Sequence, residues 1–315
     1  MKWWLFSLFF AATTLGADPT QVLAPIREKH KLPALGGAIV AEQGMVAVGA
    51  VGAPTNALWH LGSNTKAMTA TLIGKLVEQG KLKWETTVTE VFPEAHESLR
   101  RVTLLHLLSH RAGLPANDKW TNSKLPVREQ RRQVALRARA EGTPGEQYRY
   151  SNLGYVIAGA MAEQTMNGSW EELMREYIFE PLGMKSVGFG GVGGKPDNPP
   201  VLGPAGRVHC TLADWSKFIA HLLRSQLELS PPFGGNYALG WIVTERKWGG
   251  GKVLTHAGSN TMNYSVAWVA PKRGFAVLVC TNRGGREAAK ACDEAAAALI
   301  RVVGTCGLGN DHSSE

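Results

Sequence analysis

Three short strings in this 315-residue chain carry side chains able to do covalent chemistry, and they occur in a fixed order: Ser63-Asn64-Thr65-Lys66, Tyr150-Ser151-Asn152 and His256-Ala257-Gly258. A hydroxyl is a poor nucleophile until a neighbouring amine or phenolate takes its proton. From Ser63 to Gln79 the pattern reads as one helix, with Leu72, Ile73, Leu76 and Val77 on an apolar face and Gly80 at its end. That places Ser63 at a helix N-terminus, where free N–H groups and the dipole favour developing negative charge. Lys66 then lies one turn on, on the same face. A lone S-x-x-K is common by chance, and a serine at such a place is ordinarily an N-cap. The company of the other two strings favours the nucleophile.

Further phrases accompany them. Leu107-Leu108-Ser109-His110-Arg111-Ala112-Gly113-Leu114-Pro115 precedes the second string, and Pro144-Gly145 stands just before Tyr150. Glu180-Pro181-Leu182-Gly183-Met184 and Tyr237-Ala238-Leu239-Gly240-Trp241 follow. Together with the S-x-x-K of penicillin-recognising enzymes, these phrases resemble the serine β-lactamase/DD-peptidase family from about residue 20 to about residue 303. The likeness is to the class C β-lactamase and DD-carboxypeptidase branch, which also holds esterases and D-aminopeptidases.

The resemblance implies roles. Ser63 would be the nucleophile, Lys66 its proton-relay partner, and Tyr150 the base that draws the proton and returns it to the leaving group. A phenol needs nearby cations to act at neutral pH, and Lys66 is the obvious one. Two groups so placed titrate as a pair. Asn152 carries over as a ligand for the substrate carbonyl region and an anchor for Lys66. Gly258 permits close backbone approach, and the Ser259 N–H joins that of Ser63 as an oxyanion hole, commonly worth about 3 kcal/mol per donor.

His256 and Ala257 depart from the Lys-Thr-Gly of most class C β-lactamases. The wall strand then lacks a permanent cation and a hydroxyl for a substrate carboxylate, which turns the expectation toward DD-peptidase or esterase chemistry. Arg111 and Arg207 are the residues that could supply an anchor instead. The reading is an exported serine hydrolase acting through an acyl-enzyme on an amide or ester, without a cofactor or metal. Its substrate would be a small molecule or peptide, a cell-wall peptide among the candidates. The alternatives are a true class C-like β-lactamase and a non-catalytic penicillin-fold module that binds cell wall. The second of these is expected to have lost Ser63, Lys66 or Tyr150, and none is lost.

Other signals are set aside. His106 and His110 are four apart, but no Glu follows His106 as in H-E-x-x-H. Gly190–Lys195 lacks the first glycine and the Ser/Thr of a phosphate loop, and no G-x-S-x-G elbow exists. With 44% hydrophobic and 19% charged residues the chain is globular. Its net charge of +8 has a local source in Arg128, Arg131, Arg132, Arg137 and Arg139, read as the solvated face of one helix. No nucleic-acid motif accompanies them.

Met1–Ala17 reads as a secretory signal peptide, with Lys2, an apolar stretch and small residues before Asp18. A periplasmic or secreted location follows, with no stable membrane span after cleavage. Export permits disulfides, yet Cys280 and Cys292 read as buried small hydrophobes; a Cys292–Cys306 bridge is conceivable.

The elements that must hold these residues fall into a pattern. Leu35–Val40 and Met45–Val51 form a hairpin, and strands return at Tyr237–Thr244, Lys252–His256, Asn263–Ala270 and Gly274–Asn282. Between them Lys83 to Pro204 is mostly helices and loops: Thr103–Ser109, the arginine helix, Asn152–Thr165 and Ser169–Ile178. Asp214–Leu223 and Glu287–Val303 are further helices. The fold class is therefore α+β, an antiparallel sheet built from both ends of the chain and flanked by helices, plus a mostly helical region. The resemblance names it β-lactamase/transpeptidase-like. The domain plan is a signal peptide at 1–17 and one hydrolase domain at 18–315, with its sheet part at about 18–82 and 205–315 and its helical part at about 83–204.

Overall fold

The computed structural model describes residues 18–120, 124–225 and 229–305. Met1–Ala17 and Cys306, with the signal peptide and the conceivable bridge read on them, lie outside the described residues. The chain opens with α1 (Pro19–Lys29), β1 (Leu35–Ala41), β2 (Gly44–Val51), β3 (Trp59–His60) and α2 (Thr65–Glu78). The middle holds α3 (Val88–Val91), α4 (Leu104–Leu108), α5 (Val127–Arg137), α6 (Asn152–Met166), α7 (Trp170–Met174), β4 (Gly188–Phe189) and α8 (Gly203–Gly206). Then follow β5 (Val208–Cys210), α9 (Leu212–Arg224), β6 (Tyr237–Ala238), β7 (Trp241–Arg246), β8 (Gly251–Ser259), β9 (Tyr264–Ala270), β10 (Phe275–Thr281) and α10 (Arg286–Thr305).

Seven strands form one antiparallel sheet in the order β2-β1-β10-β9-β8-β7-β6. β10 is buried along its whole length, as its run Phe-Ala-Val-Leu-Val-Cys-Thr requires of a strand covered on both faces. Leu35 pairs with Thr281 and Ala41 with Phe275, so the two ends of the chain close the sheet centre. One face packs under α1 and α10, with Leu23, Cys292, Ala295 and Leu299 against Ile39, Val277 and Val279. The other face packs against α9 and the helical middle through Trp215, Phe218, Met68 and Leu278. α6 is buried from Leu153 through Glu163, the central rod of the helical part. A second, three-stranded sheet, β3-β5-β4, links the segment before Ser63 to the loops at 188–210.

Several expectations need correction. Ser63 does not open an α-helix: Gly62–Asn64 is a 3-10 turn, and α2 begins at Thr65. The Tyr237–Thr244 strand is two strands, broken where Leu239 takes a positive φ of 48° and Gly240 one of 92°. The helix read over Ser169–Ile178 ends at Met174 and continues as a π-helical turn, Arg175–Phe179. α1 has no counterpart in the sequence reading; Asp18 caps it and Pro19 starts it, but Pro25 lies inside it and interrupts the helical pattern.

The arginine face is also corrected. Arg139 lies beyond α5, and Arg131 is fully buried. Its guanidinium bonds Glu163 (2.6 Å), Glu171 (2.9 Å) and the carbonyls of Pro200 (2.9 Å) and Val201 (3.2 Å). Cys210, Cys280 and Cys292 are buried free thiols, and burial raises the pKa of each.

Candidate active site

The turn carrying Ser63 is anchored from three sides. Leu61 pairs by its N–H with Val208 O (2.9 Å) and accepts at its own carbonyl from Ser265 Oγ (2.8 Å). Asn64 Nδ2 donates back to Ser265 Oγ (2.8 Å), tying the turn to β9. Thr65 Oγ1 accepts from Val208 N–H (3.1 Å) and Thr69 Oγ1 donates to Pro204 O (2.8 Å), so α2 is held against α8 and β5.

β8 runs against this turn without a side chain between them. A Cβ at Gly258 would stand 2.7 Å from Ser63 N, and one at Gly62 would be driven into Ser259 N. Gly62 also has a positive φ of 51°. The two glycines let the Ser63 and Ser259 segments approach closely.

Lys66 is fully buried, and its side-chain nitrogen has three oxygen partners: Ser63 Oγ (3.1 Å), Asn152 Oδ1 (2.7 Å) and Ala205 O (2.6 Å). None is a carboxylate. Burial therefore pulls its pKa well below the ordinary lysine value. Burial raises the pKa of Tyr150, and the neighbouring Ser63 hydroxyl only partly opposes the rise. Its ring lies 4.9 Å from Lys66 Nζ. The two shifts point the same way: the site favours an amine and a phenol over an ammonium and a phenolate.

The loop at 110–117 holds the second string in place. His110 Nδ1 accepts from Ser151 N–H (3.1 Å), Pro115 O accepts from Ser151 Oγ (2.7 Å), and Ala116 O accepts from Asn152 N–H (2.8 Å). Asn152 Nδ2 donates to Asn117 Oδ1 (2.9 Å), which turns Oδ1 toward Lys66. The His110 ring packs against Tyr150 (4.3 Å) and Tyr237 (4.4 Å). Its pKa is lowered, first by burial and then by Lys66 and His256.

His256 is buried on β8. Its Nδ1 donates to Ala257 O (2.7 Å), which leaves Nε2 to accept from the Tyr237 hydroxyl (3.2 Å). Burial, and then the nearby Lys66, bring its pKa down to about 3, so the imidazole is neutral at every physiological pH. Both ring nitrogens are committed. Arg207 Nε donates to Asp197 (3.2 Å), and Arg111 bonds the carbonyls of Glu146 (2.7 Å) and Gly234 (3.3 Å).

All seven site residues read from the sequence converge: Ser63, Lys66, Tyr150, Asn152, His256, Gly258 and Ser259. Tyr237 and the Ala205 carbonyl were missed. The Tyr237-Ala238-Leu239-Gly240-Trp241 phrase by itself points to no chemistry, and a carbonyl leaves no mark in a sequence.

Comparison with known proteins gives a consistent picture. A family model described as Beta-lactamase matches residues 20–301. Penicillin-binding protein 4 of Amycolatopsis lactamdurans is 26% identical over 285 aligned residues, 74% of this chain and 74% of that protein. The D-alanyl-D-alanine-carboxypeptidase/endopeptidase AmpH of Escherichia coli K12 is 30% identical over 138 residues, 41% of this chain and 36% of that protein. Other relatives likewise match over about a third of their own length or less. A crystal structure of a β-lactamase/D-alanine carboxypeptidase from Yersinia pestis complexed with citrate superposes with a TM-score of 0.74 at 19% identity, over 90% of this chain and 98% of that one. It shares the fold.

Proposed function

Because this chain belongs to the Beta-lactamase family of serine hydrolases, we propose that Ser63 is its nucleophile and that it turns over esters or amides through a Ser63 acyl-enzyme. The observation that carries the reading is the Ser63 hydroxyl 3.1 Å from Lys66 Nζ, with the Tyr150 ring 4.9 Å from the same nitrogen. As Ser63 Oγ attacks the substrate carbonyl, its proton passes to the Lys66–Tyr150 pair. The carbonyl oxygen becomes an oxyanion facing the Ser63 and Ser259 N–H groups. Collapse breaks the bond to the alcohol or amine, which leaves with a proton returned from the pair. Water then attacks the acyl-enzyme by the same route, releasing the acid and restoring Ser63.

The wall strand bears on substrate choice. His256 is neutral with both nitrogens occupied, Ala257 has no hydroxyl, and the two nearby arginines are engaged elsewhere. A substrate carboxylate would forgo a charged hydrogen bond there, a loss of roughly 1.5–3 kcal/mol, or about 10- to 150-fold in rate. The preferred substrate is thus a small uncharged acyl ester over a penicillin or cephalosporin. The sequence reading of Met1–Ala17 supports export to the periplasm or beyond, where cell-wall peptides are also within reach. Among the described residues no helix is long and apolar enough to cross a membrane.

The test is intact-mass spectrometry after incubation with a fluorophosphonate, a β-lactam and p-nitrophenyl butyrate, with peptide mapping of the adduct. The expected adduct is on Ser63, and Ser63→Ala lowers turnover by about 10⁶-fold. Full turnover in that variant would sink the mechanism. A tenfold or greater preference for nitrocefin over p-nitrophenyl butyrate would sink the substrate reading alone.

A further inference from the structure

Asp197 lies in the loop between β4 and α8, outside every motif discussed above. Its carboxylate is only 3% exposed. One oxygen accepts from His60 Nε2 (3.1 Å) and Arg207 Nε (3.2 Å), the other from Asn260 Nδ2 (2.9 Å). Burial raises its pKa, but the hydrogen bonds it accepts, that from His60 first, outweigh this and bring it down to about 2.

The partners of Asp197 stand on the two sides of the oxyanion pair. His60 Nδ1 accepts from Gly62 N–H (3.1 Å), which fixes the imidazole with its proton on Nε2, facing Asp197. Gly62 is the residue before Ser63. Asn260 follows Ser259, and its Oδ1 accepts from Asn263 N–H (2.9 Å) and Met262 N–H (3.3 Å), which makes the end of β8 a firm turn. One carboxylate therefore grips the Ser63 segment through His60 and the Ser259 segment through Asn260. Arg207 balances its charge from the chain just after Ala205, whose carbonyl holds Lys66.

We propose that Asp197 is a positioning residue for acylation, a buried clamp that fixes the spacing between the Ser63 and Ser259 N–H donors. The inference rests on the Ser63 acyl-enzyme reading. Such a clamp acts on the transition state: a hole slightly too wide still binds the neutral carbonyl but stabilises the oxyanion poorly. Asp197→Asn keeps the shape and removes the charge. Its amide cannot accept from His60, Arg207 and Asn260 together, so one side of the clamp opens.

The experiment compares wild type, Asp197→Asn and His60→Gln in the full chain. It reads kcat and KM for p-nitrophenyl butyrate, affinity for phenylboronic acid, which adds to a serine as a tetrahedral anion, and Tm. The expected result for Asp197→Asn is a kcat lower by about 30-fold and boronate affinity weakened by a similar factor, with KM within about threefold. The double variant Asp197→Asn with Asn260→Asp exchanges donor and acceptor across one contact and is expected to recover about tenfold of the lost kcat. Wild-type kcat and boronate affinity in Asp197→Asn would overturn the proposal. So would a loss shared equally by KM with boronate affinity intact. If Asp197→Asn does not fold, His60→Gln opens only the Ser63 side and must show the same kcat-selective loss; normal kcat there overturns the clamp. Ser63→Ala separates the two claims: labelling that survives in Ser63→Ala defeats the acyl-enzyme reading, whereas normal labelling kinetics in Asp197→Asn defeat only this one.

Discussion

Among the described residues two basic side chains, Arg131 and Lys66, are buried completely, and they are treated in opposite ways. Arg131, in α5, meets two carboxylates, Glu163 and Glu171, and two backbone carbonyls. Lys66, in α2, meets a hydroxyl, an amide oxygen and a carbonyl, and no carboxylate. Burial alone lowers the pKa of either side chain. At Arg131 the bonds and charges of Glu171 and Glu163 overcome burial and the pKa is raised; at Lys66 burial wins and the pKa falls far. A paired cation is locked in one protonation state and can only hold structure. An unpaired one holds its proton less tightly than an ordinary lysine, which is what a proton relay requires.

The contrast predicts different failures. Lys66→Met should lower kcat/KM for p-nitrophenyl butyrate by about 10²- to 10⁴-fold. Stability should hardly move. In the folded state Lys66 has a pKa below its unfolded value, so between the two values the unfolded chain binds the extra proton. Burying Lys66 therefore costs stability at neutral pH, and that cost fades as pH rises toward the unfolded pKa. Removing the amine relieves it while leaving Asn152 Oδ1 and Ala205 O short of a donor, so the two effects oppose and a net change within about 1 kcal/mol is expected in urea unfolding. A loss of several kcal/mol would show that Lys66 is structural in the manner of Arg131.

Arg131→Met is the converse. It strands Glu163, which already has one buried oxygen without a hydrogen-bond partner, and it leaves Glu171 and the Pro200 and Val201 carbonyls unmet. Breaking a buried ion pair from one side costs about 3–5 kcal/mol. Unfolding should register that loss, while the folded fraction should keep its kcat. A large kcat defect in folded protein would mean that α5 and α6 transmit strain to Asn152, at the other end of α6.

These two sites also mark what was legible in the sequence. Ser63, Lys66, Tyr150, Asn152, His256, Gly258 and Ser259, which the structure brings together, could be singled out because their phrases are short and local, and most of the sheet strands because apolar runs ended in turn residues. Arg131 was misread because five arginines in one stretch look alike until tertiary contacts separate them; nothing in Arg131-Arg132 says which one faces Glu163. The Leu239-Gly240 break, the 3-10 turn at Ser63 and the Asp197 contacts depend on segments far apart in sequence. Periodicity carries no information about them.

A smaller effect sharpens the Lys66 side. The rising limb of kcat/KM should belong to the Lys66–Tyr150 pair, because protonating the amine as pH falls removes the acceptor for the Ser63 proton. His256, near 3, titrates too low to be its source. His256→Lys places a second cation close to Lys66, which disfavours protonation of the pair. The limb should move to lower pH by about one to two units. His256→Gln exchanges one neutral group for another and should leave the limb in place. Equal shifts in the two variants, or none in either, would remove Lys66 from the profile.

The smallest prediction is next to Arg131 in sequence. Arg132 sits on the outer side of α5 with its side chain 37% exposed, 3.5 Å from Glu94 and 3.7 Å from Glu129. Both contacts are long and bathed in solvent, where an ion pair contributes about 0–1 kcal/mol and is screened by salt. Arg132→Ala should change unfolding free energy by no more than about 0.5 kcal/mol, and less in 0.5 M salt than at low ionic strength. The two arginines share a helix, a charge and acidic neighbours, and they differ in access to water. A cost for Arg132 comparable to that of Arg131 would mean that the charge of α5 as a whole holds the helical region. The buried bonds of Arg131 would then not explain its stability, and the contrast with Lys66 would have to be drawn on other grounds.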